Sequence, residues 1–265
     1  MNPTYWHTQT PTKPLYPDIE WSRPEQRAQA GRLAIVGGSA QGFAAVAESY
    51  GAALEAGAGQ VRALLPDGLR AAIPASMTDV RFAPTTPSGS LSRDALGDLT
   101  ALGEWANTVL MVGDASRNSE TAIVYETFIH ESSHPLVITR DAIDLVRSGL
   151  PEIVQRPNTM LVMSFAQLQK LFQMVYYPKV LTFSMQLLQL VDTLHKFTIT
   201  YPLTIMVLHQ DTMLVAHQGQ VTTTPWHEPM LIWRGITAAR AASYWMWNPA
   251  QPLEAATASL VSGKG

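Results

Sequence analysis

The feature that most limits how this chain can fold is a short apolar run that ends in a glycine turn and is followed by an alanine-rich helical stretch. Leu33-Ala34-Ile35-Val36 stops at Gly37-Gly38, and residues 43–56 carry the helical pattern. The alternation returns at 61–65, at 108–112 followed by 119–129, at 135–138 followed by 141–146, and at 159–162 followed by 165–175. Strands that keep handing over to helices predict an α/β fold with a mostly parallel, doubly wound sheet. A helix over 184–196 and strands over 203–208, 212–216 and 220–223 come next, with Asp211-Thr212 and Gln218-Gly219 as hairpin turns. Antiparallel strands are therefore expected near one edge. Helices over 234–247 and 253–261 are expected to complete the fold.

Residues 1–30 carry prolines at 3, 11, 14, 17 and 24 together with Tyr5, Trp6 and Trp21, a pattern that predicts an extended arm whose rings pack onto the rest. Residues 31–265 are long enough for one substantial core and are expected to form a single domain. Apolar residues make up 46% of the chain and charged residues 15%, so little charge is left to solvate the surface, and a partner-covered face is expected. Trp226, Trp233, Tyr244, Trp245 and Trp247, with Met230 and Met246, crowd the last fifth and are expected to divide between core and an interface. The net charge of −3, with no run of Lys or Arg, gives no footprint for nucleic acid. With no cysteine, disulfides, thiolate nucleophiles and zinc-thiolate sites are excluded. The first fourteen residues do not read as a signal peptide, and no apolar stretch approaches the roughly 20 residues that span a bilayer. No membrane partner and a cytoplasmic location are the expectations.

His130-Glu131-Ser132-Ser133-His134 fits the zincin pattern, but that chemistry needs both histidines on one continuing helix, and Ser132, Ser133 and Pro135 are expected to break it. His7, His195, His209, His217 and His227 show no ligand spacing, so no metal site is expected. No Gly-x-Ser-x-Gly elbow and no Walker A lysine are present.

The stretch 31–39, Gly-Arg-Leu-Ala-Ile-Val-Gly-Gly-Ser, with Ala56-Gly57-Ala58-Gly59 ahead of the second strand, resembles the ATP- or ADP-dependent NAD(P)H-hydrate dehydratases. Glycines at such a turn allow positive φ and close approach of a ligand, and the following helix start offers free N–H groups to an anion. Gly113 and the Glu120-Thr121 pair match a second glycine turn of the family. Asp141 matches one acid of a third segment, where Thr139 replaces the other and where helix N-capping also accounts for Asp141. The family's Thr-Pro-His-x-x-Glu falls on Val162 to Gln167, and a family lysine falls on His209. Counting back without gaps from Pro252-Leu253-Glu254-Ala255-Ala256 sets the family's Gly-Ser/Thr-Gly-Asp on Trp233-Arg234-Gly235-Ile236.

The resemblance implies a ribokinase-like three-layer α/β/α sandwich, a homo-oligomer, and ligands drawn from ATP or ADP with Mg and NAD(P)H. Gly37, Gly38, Ser39 and Gly113 would cradle a ligand, His209 would stand near the nucleotide, and Gly235 would mark the anion site. The family's catalytic Asp is Ile236 here, which cannot take a proton, and loss of a positioned base forfeits about 10²- to 10⁴-fold in rate. A catalytically inactive homologue kept for ligand binding or assembly is therefore expected. A weakly active dehydratase, or a kinase-like activity with Asp114 or Asp141 as relocated acid, stays open.

Overall fold

The computed structural model describes residues 3–261; the first two residues of the expected arm and the last four of the expected 31–265 domain lie outside them. The parallel strands are β2 (Arg32–Gly37), β3 (Gln60–Pro66), β4 (Val80–Ala83), β5 (Thr108–Gly113), β6 (Leu136–Thr139), β7 (Thr159–Ser164) and β8 (Thr204–His209). Strands β9 (Thr212–His217) and β10 (Gln220–Pro225) run as antiparallel neighbours beyond β8. The arm contributes β1 (Trp6–Thr8), which pairs parallel to β10 as the outermost strand. All lie in one sheet of order β1-β10-β9-β8-β7-β6-β5-β2-β3-β4.

The helices are α1 (Asp18–Trp21), α2 (Ala44–Ala56), α3 (Leu96–Trp105), α4 (Ser119–Glu131), α5 (Asp141–Leu145), α6 (Leu150–Ile153), α7 (Phe165–Met174), α8 (Leu187–Thr200), α9 (Pro229–Trp233), α10 (Ile236–Trp247) and α11 (Pro252–Ala258). They form two outer layers because side chains alternate across each strand. Ala34, Val36, Val109 and Met111 face the core shared with α3, α4, α7 and α8. Leu33, Ile35, Leu110 and Val112 face the core shared with α2, α10 and α11. Small residues let α2 and α10 pack closely: Ala45, Ala52 and Ala53 on one, Ala238, Ala241 and Ala242 on the other, are all buried. No helix among the described residues is long and apolar enough to cross a membrane.

Several expectations are corrected. The predicted helix over 234–247 starts two residues later, at Ile236, because Gly235 takes a left-handed φ of 79°, and the short α9 before it was not expected. The first hairpin turn is Gln210-Asp211, with Gln210 at φ 54°, and Thr212 is already in β9. Strand β4 and helix α3 were not expected from the pattern. In the arm, Trp6 donates its Nε1–H to Thr223 Oγ1 at 2.9 Å and Tyr5 stacks on His195 at 3.7 Å, but Trp21 is exposed. Trp226, Tyr244 and Trp245 are core, whereas Met230 and Trp233 face solvent. Helix α4 ends at Glu131 with Ser132 extended, so His134 does not share a helix face with His130.

Tyr125 on α4 is fully buried, and its hydroxyl has no hydrogen-bond partner. Burial, with a smaller contribution from the Asp141 charge, pushes its pKa far above the usual phenol range. An orphaned buried hydroxyl costs stability that its removal recovers. Tyr125→Phe is expected to stabilise the fold by about 1 kcal/mol, read as a higher urea midpoint at unchanged slope.

Candidate functional site

In an open α/β sheet a ligand crevice forms beyond the carboxyl ends of the strands, where the strand order reverses. Here the reversal lies between β2 and β5, with β3 and β4 on one side and β6 to β8 on the other. Gly37 and Gly38 end β2 and Gly113 ends β5, so the glycines singled out in the sequence do converge at that point.

Their reasons are partly structural. The register shifts between Val36 and Gly37, which draws the two strand ends together. Gly38 donates its N–H to Gly113 O at 2.8 Å, and a Cβ on Gly37 would sit 2.4 Å from that same oxygen. Gly113 has φ 100°, and a Cβ there would lie 2.2 Å from Asp141 Oδ1. Ser39 is buried, and its N–H and C=O both bond across a tight turn to Gly42. The 84–92 loop covers the turn: Ala40 N–H donates to Gly89 O at 2.8 Å, and Ser90 and Ser116 hydroxyls meet at 2.5 Å.

The start of α2, the N–H source that the sequence offers to an anion, is met by the protein itself. Asp114 Oδ2 accepts from Ala45 N–H at 2.9 Å, while Asp114 Oδ1 pairs with Arg140 Nη1 at 2.8 Å. A carboxylate suits the positive end of a helix for the same reason a phosphate would. Asp141 Oδ1 accepts from Asp114 N–H at 3.1 Å. The N-capping role expected of Asp141 is not found: it is the first residue of α5, and Arg140, at φ 56°, holds the cap position without a side-chain bond. Asp114, Ser116 and Arg140 are three non-glycine residues at positive φ in two adjoining loops.

The other predicted positions are placed as follows. Gly235 is the N-cap of α10, with φ 79°, and a Cβ on it would be 2.4 Å from Ser49 Oγ on α2. Ile236 packs against the core of that layer, and the first turn of α10 holds no acidic residue. His209 ends β8, three strands from β5, and is buried. Its Nε2 bonds to Met185 O at 2.8 Å; a carbonyl only accepts, so Nε2 carries the proton. This fixes the segment ahead of α8 rather than presenting a donor to the β2–β5 crevice.

Arg140, Asp144 and Lys170 were missed in the sequence. Gln167, in the place of the family's Glu, forms a capping box with Ser164 and donates its Nε2–H groups to Arg140 O at 2.7 Å and Asp144 Oδ2 at 2.9 Å. The available signal for Arg140 was its position directly after a strand and before a helix, where site residues of parallel sheets collect. Burial alone would raise the Asp144 carboxyl, but hydrogen bonds from Lys170 and Gln167 and the charges of Lys170 and Arg117 hold it below its usual range. A depressed folded-state pKa gives stability that is present above the unfolded value of about 3.9 and lost as pH falls through the folded one. Lys170→Met is therefore expected to lower stability at pH 7 yet match the wild type near pH 2, checked by urea unfolding at both.

No family model matches the sequence. The chain is 30% identical over 154 residues to the bifunctional NAD(P)H-hydrate repair enzyme Nnr of Methanothermobacter thermautotrophicus, a match covering 57% of this chain and 30% of that protein. A ribokinase-like superfamily protein from Enterococcus faecalis superposes with a TM-score of 0.73 at 15% identity, covering 99% of this chain and 88% of the other. The fold is ribokinase-like. The ADP/ATP-dependent NAD(P)H-hydrate dehydratase of Bacillus subtilis shares this ribokinase-like fold with a TM-score of 0.62 at 10% identity, over 94% of this chain and 86% of its own. The resemblance to the NAD(P)H-hydrate dehydratases is thus met in both sequence and ribokinase-like architecture. The chain spans less than a third of the length of the curated relative it matches.

Proposed function

We propose that this chain is a homologue of the NAD(P)H-hydrate dehydratases that has given up their catalysis and keeps the ribokinase-like fold for ligand binding or assembly, in the cytoplasm. The observation that carries this reading is the first turn of α10, which begins at Ile236 and holds no acidic residue. General-base chemistry there has no group to take the proton.

The B. subtilis neighbour was co-crystallised with ATP and Mg²⁺. The residues at the matching positions here do not fit a magnesium triphosphate. His209 Nε2 is engaged by Met185 O, and the start of α2 is met by Asp114. Exposed Met230 and Trp233 on α9 support an assembly role, in which apolar rims are covered by a second copy.

Incubation with NADH hydrate or NADPH hydrate, ATP or ADP, and Mg²⁺, followed by absorbance of the restored nicotinamide, tests the reading. No restoration above the uncatalysed rate is expected; turnover would overturn it. A weakly active dehydratase is the second reading, and a kinase-like activity with a relocated acid is a third, for which Asp114 stands at the reversal of strand order. If turnover is seen and Asp114→Asn leaves it unchanged, that carboxylate is not the relocated base.

A further inference from the structure

At the sheet edge opposite the arm, β3, β4 and α3 wall an open cavity of about 390 Å³ that shares no residue with the β2–β5 crevice. Three guanidiniums line it: Arg62 of β3, Arg70 of the segment after β3, and Arg81 of β4. Leu64, Phe82 and Leu102 supply apolar wall, and Asp98 of α3 is the lining carboxylate. Exposed arginines ordinarily keep their rotamer freedom in solvent, but two of these are held in place. Arg62 lies over the Trp105 ring at 4.1 Å and Arg70 over the Phe82 ring at 4.3 Å, both within cation–π range. Arg62 donates to Asp79 through Nε, 3.1 and 3.0 Å from its two oxygens, so its terminal nitrogens stay available. Arg81 Nε stands 3.8 Å from that same, already engaged, carboxylate. Among the described residues neither Arg70 nor Asp98 makes an ion pair, although both line the one cavity. Three cations thus face two carboxylates on a chain whose net charge is −3. A charged edge strand discourages pairing with other chains, which accounts for Arg81 but not for the pinning of Arg62 and Arg70.

We propose that this cavity binds a small phosphate monoester, its phosphate between Arg62 and Arg70 with Arg81 at the rim, and a hydroxyl of its organic part donating to Asp98. Guanidinium forks match phosphate oxygens two at a time, and a phosphate has oxygens and charge enough for more than one fork. A carboxylate, with two oxygens and one charge, serves a single fork. Asp98 selects for the organic part: it repels a bare phosphate that approaches it and accepts a hydroxyl. The volume lies at the lower end of the roughly 300–1,000 Å³ of small-molecule sites, which suits a short ester. Because the arginines are already oriented by Trp105 and Phe82, little side-chain freedom is left to lose on binding.

Calorimetry on the full chain at low salt, with glycerol 3-phosphate, inorganic phosphate, acetate and glycerol as separate probes, decides the matter. Glycerol 3-phosphate is expected to bind about tenfold more tightly than acetate and about threefold more tightly than inorganic phosphate, with no binding of glycerol. Arg70→Gln should weaken the ester about tenfold. Arg70→Lys, which keeps the charge and loses the fork, should restore only part of that. Asp98→Ala should erase the preference over inorganic phosphate. Arg70 and Asp98 are both exposed, so each variant should keep the wild-type urea midpoint. Acetate binding as tight as the ester, ester binding that ignores Arg70→Gln, a preference that survives Asp98→Ala, or no ester binding at millimolar concentration would overturn the proposal. The dehydratase assay reads the other site, so its outcome and this one are independent.

Discussion

Gly113→Ala is expected to cost about 2–6 kcal/mol, through two independent penalties. An alanine at φ 100° leaves the conformations that L-residues readily adopt, a strain of roughly 1–3 kcal/mol. Its Cβ would also stand 2.2 Å from Asp141 Oδ1 and 3.0 Å from Ala142 N, and forced overpacking of this kind costs about 1–3 kcal/mol more. The carboxylate cannot simply swing aside, because it accepts the Asp114 N–H and so ties the β5 and β6 loops together. Urea unfolding should show the loss. If the variant kept wild-type stability, the tight β5–β6 corner described above would be wrong.

Phe197→Ala is the second large effect, at about 3–5 kcal/mol. Phe197 on α8 is fully buried, stacks on Phe172 at 4.5 Å, and meets Tyr177 and Tyr201 at 5.0 and 4.6 Å. Truncation removes both the buried area and the shared faces of three rings, and rings fixed on α7, α8 and the segments that follow them cannot all close the void. Thermal unfolding should fall by roughly 6–20 °C for a chain of this size. A drop under 2 °C would mean that the cluster collapses freely, contrary to the packing seen.

The parallel half of the sheet was legible because apolar runs such as Leu33–Val36 and Val109–Val112 are buried on both faces and so read as continuous. Strand β4 was not, since Val-Arg-Phe-Ala is four residues long and only partly buried. Helix α3 hid behind Gly97 and Gly103, which lower helical propensity that packing then overrides. The start of α10 was placed two residues early because Arg234-Gly235 interrupts no periodicity; the left-handed φ of Gly235 sets the start.

At the candidate site, the sequence reading located the glycines and Asp114 but not what they do. Gly37, Gly38 and Gly113 look like a ligand cradle in one dimension, whereas their immediate need is the close approach of β2 to β5. The Asp114–Arg140 pair spans two loops, and both residues sit at positive φ without being glycine, which no local propensity announces. His209 was read as a nucleotide neighbour from alignment alone; its burial under Met185 depends on a segment from another part of the chain.

The outermost strand is made from the arm, and its strand neighbour among the described residues is β10, with Thr8 bonded to a residue 215 positions later. Translation delivers Thr8 215 positions before Thr223 on its docking edge. A nascent chain therefore carries β1 unplaced until β10 has been made, and a product cut short of β10 has nowhere to put it. Docking of the arm therefore reports that the later strands have arrived.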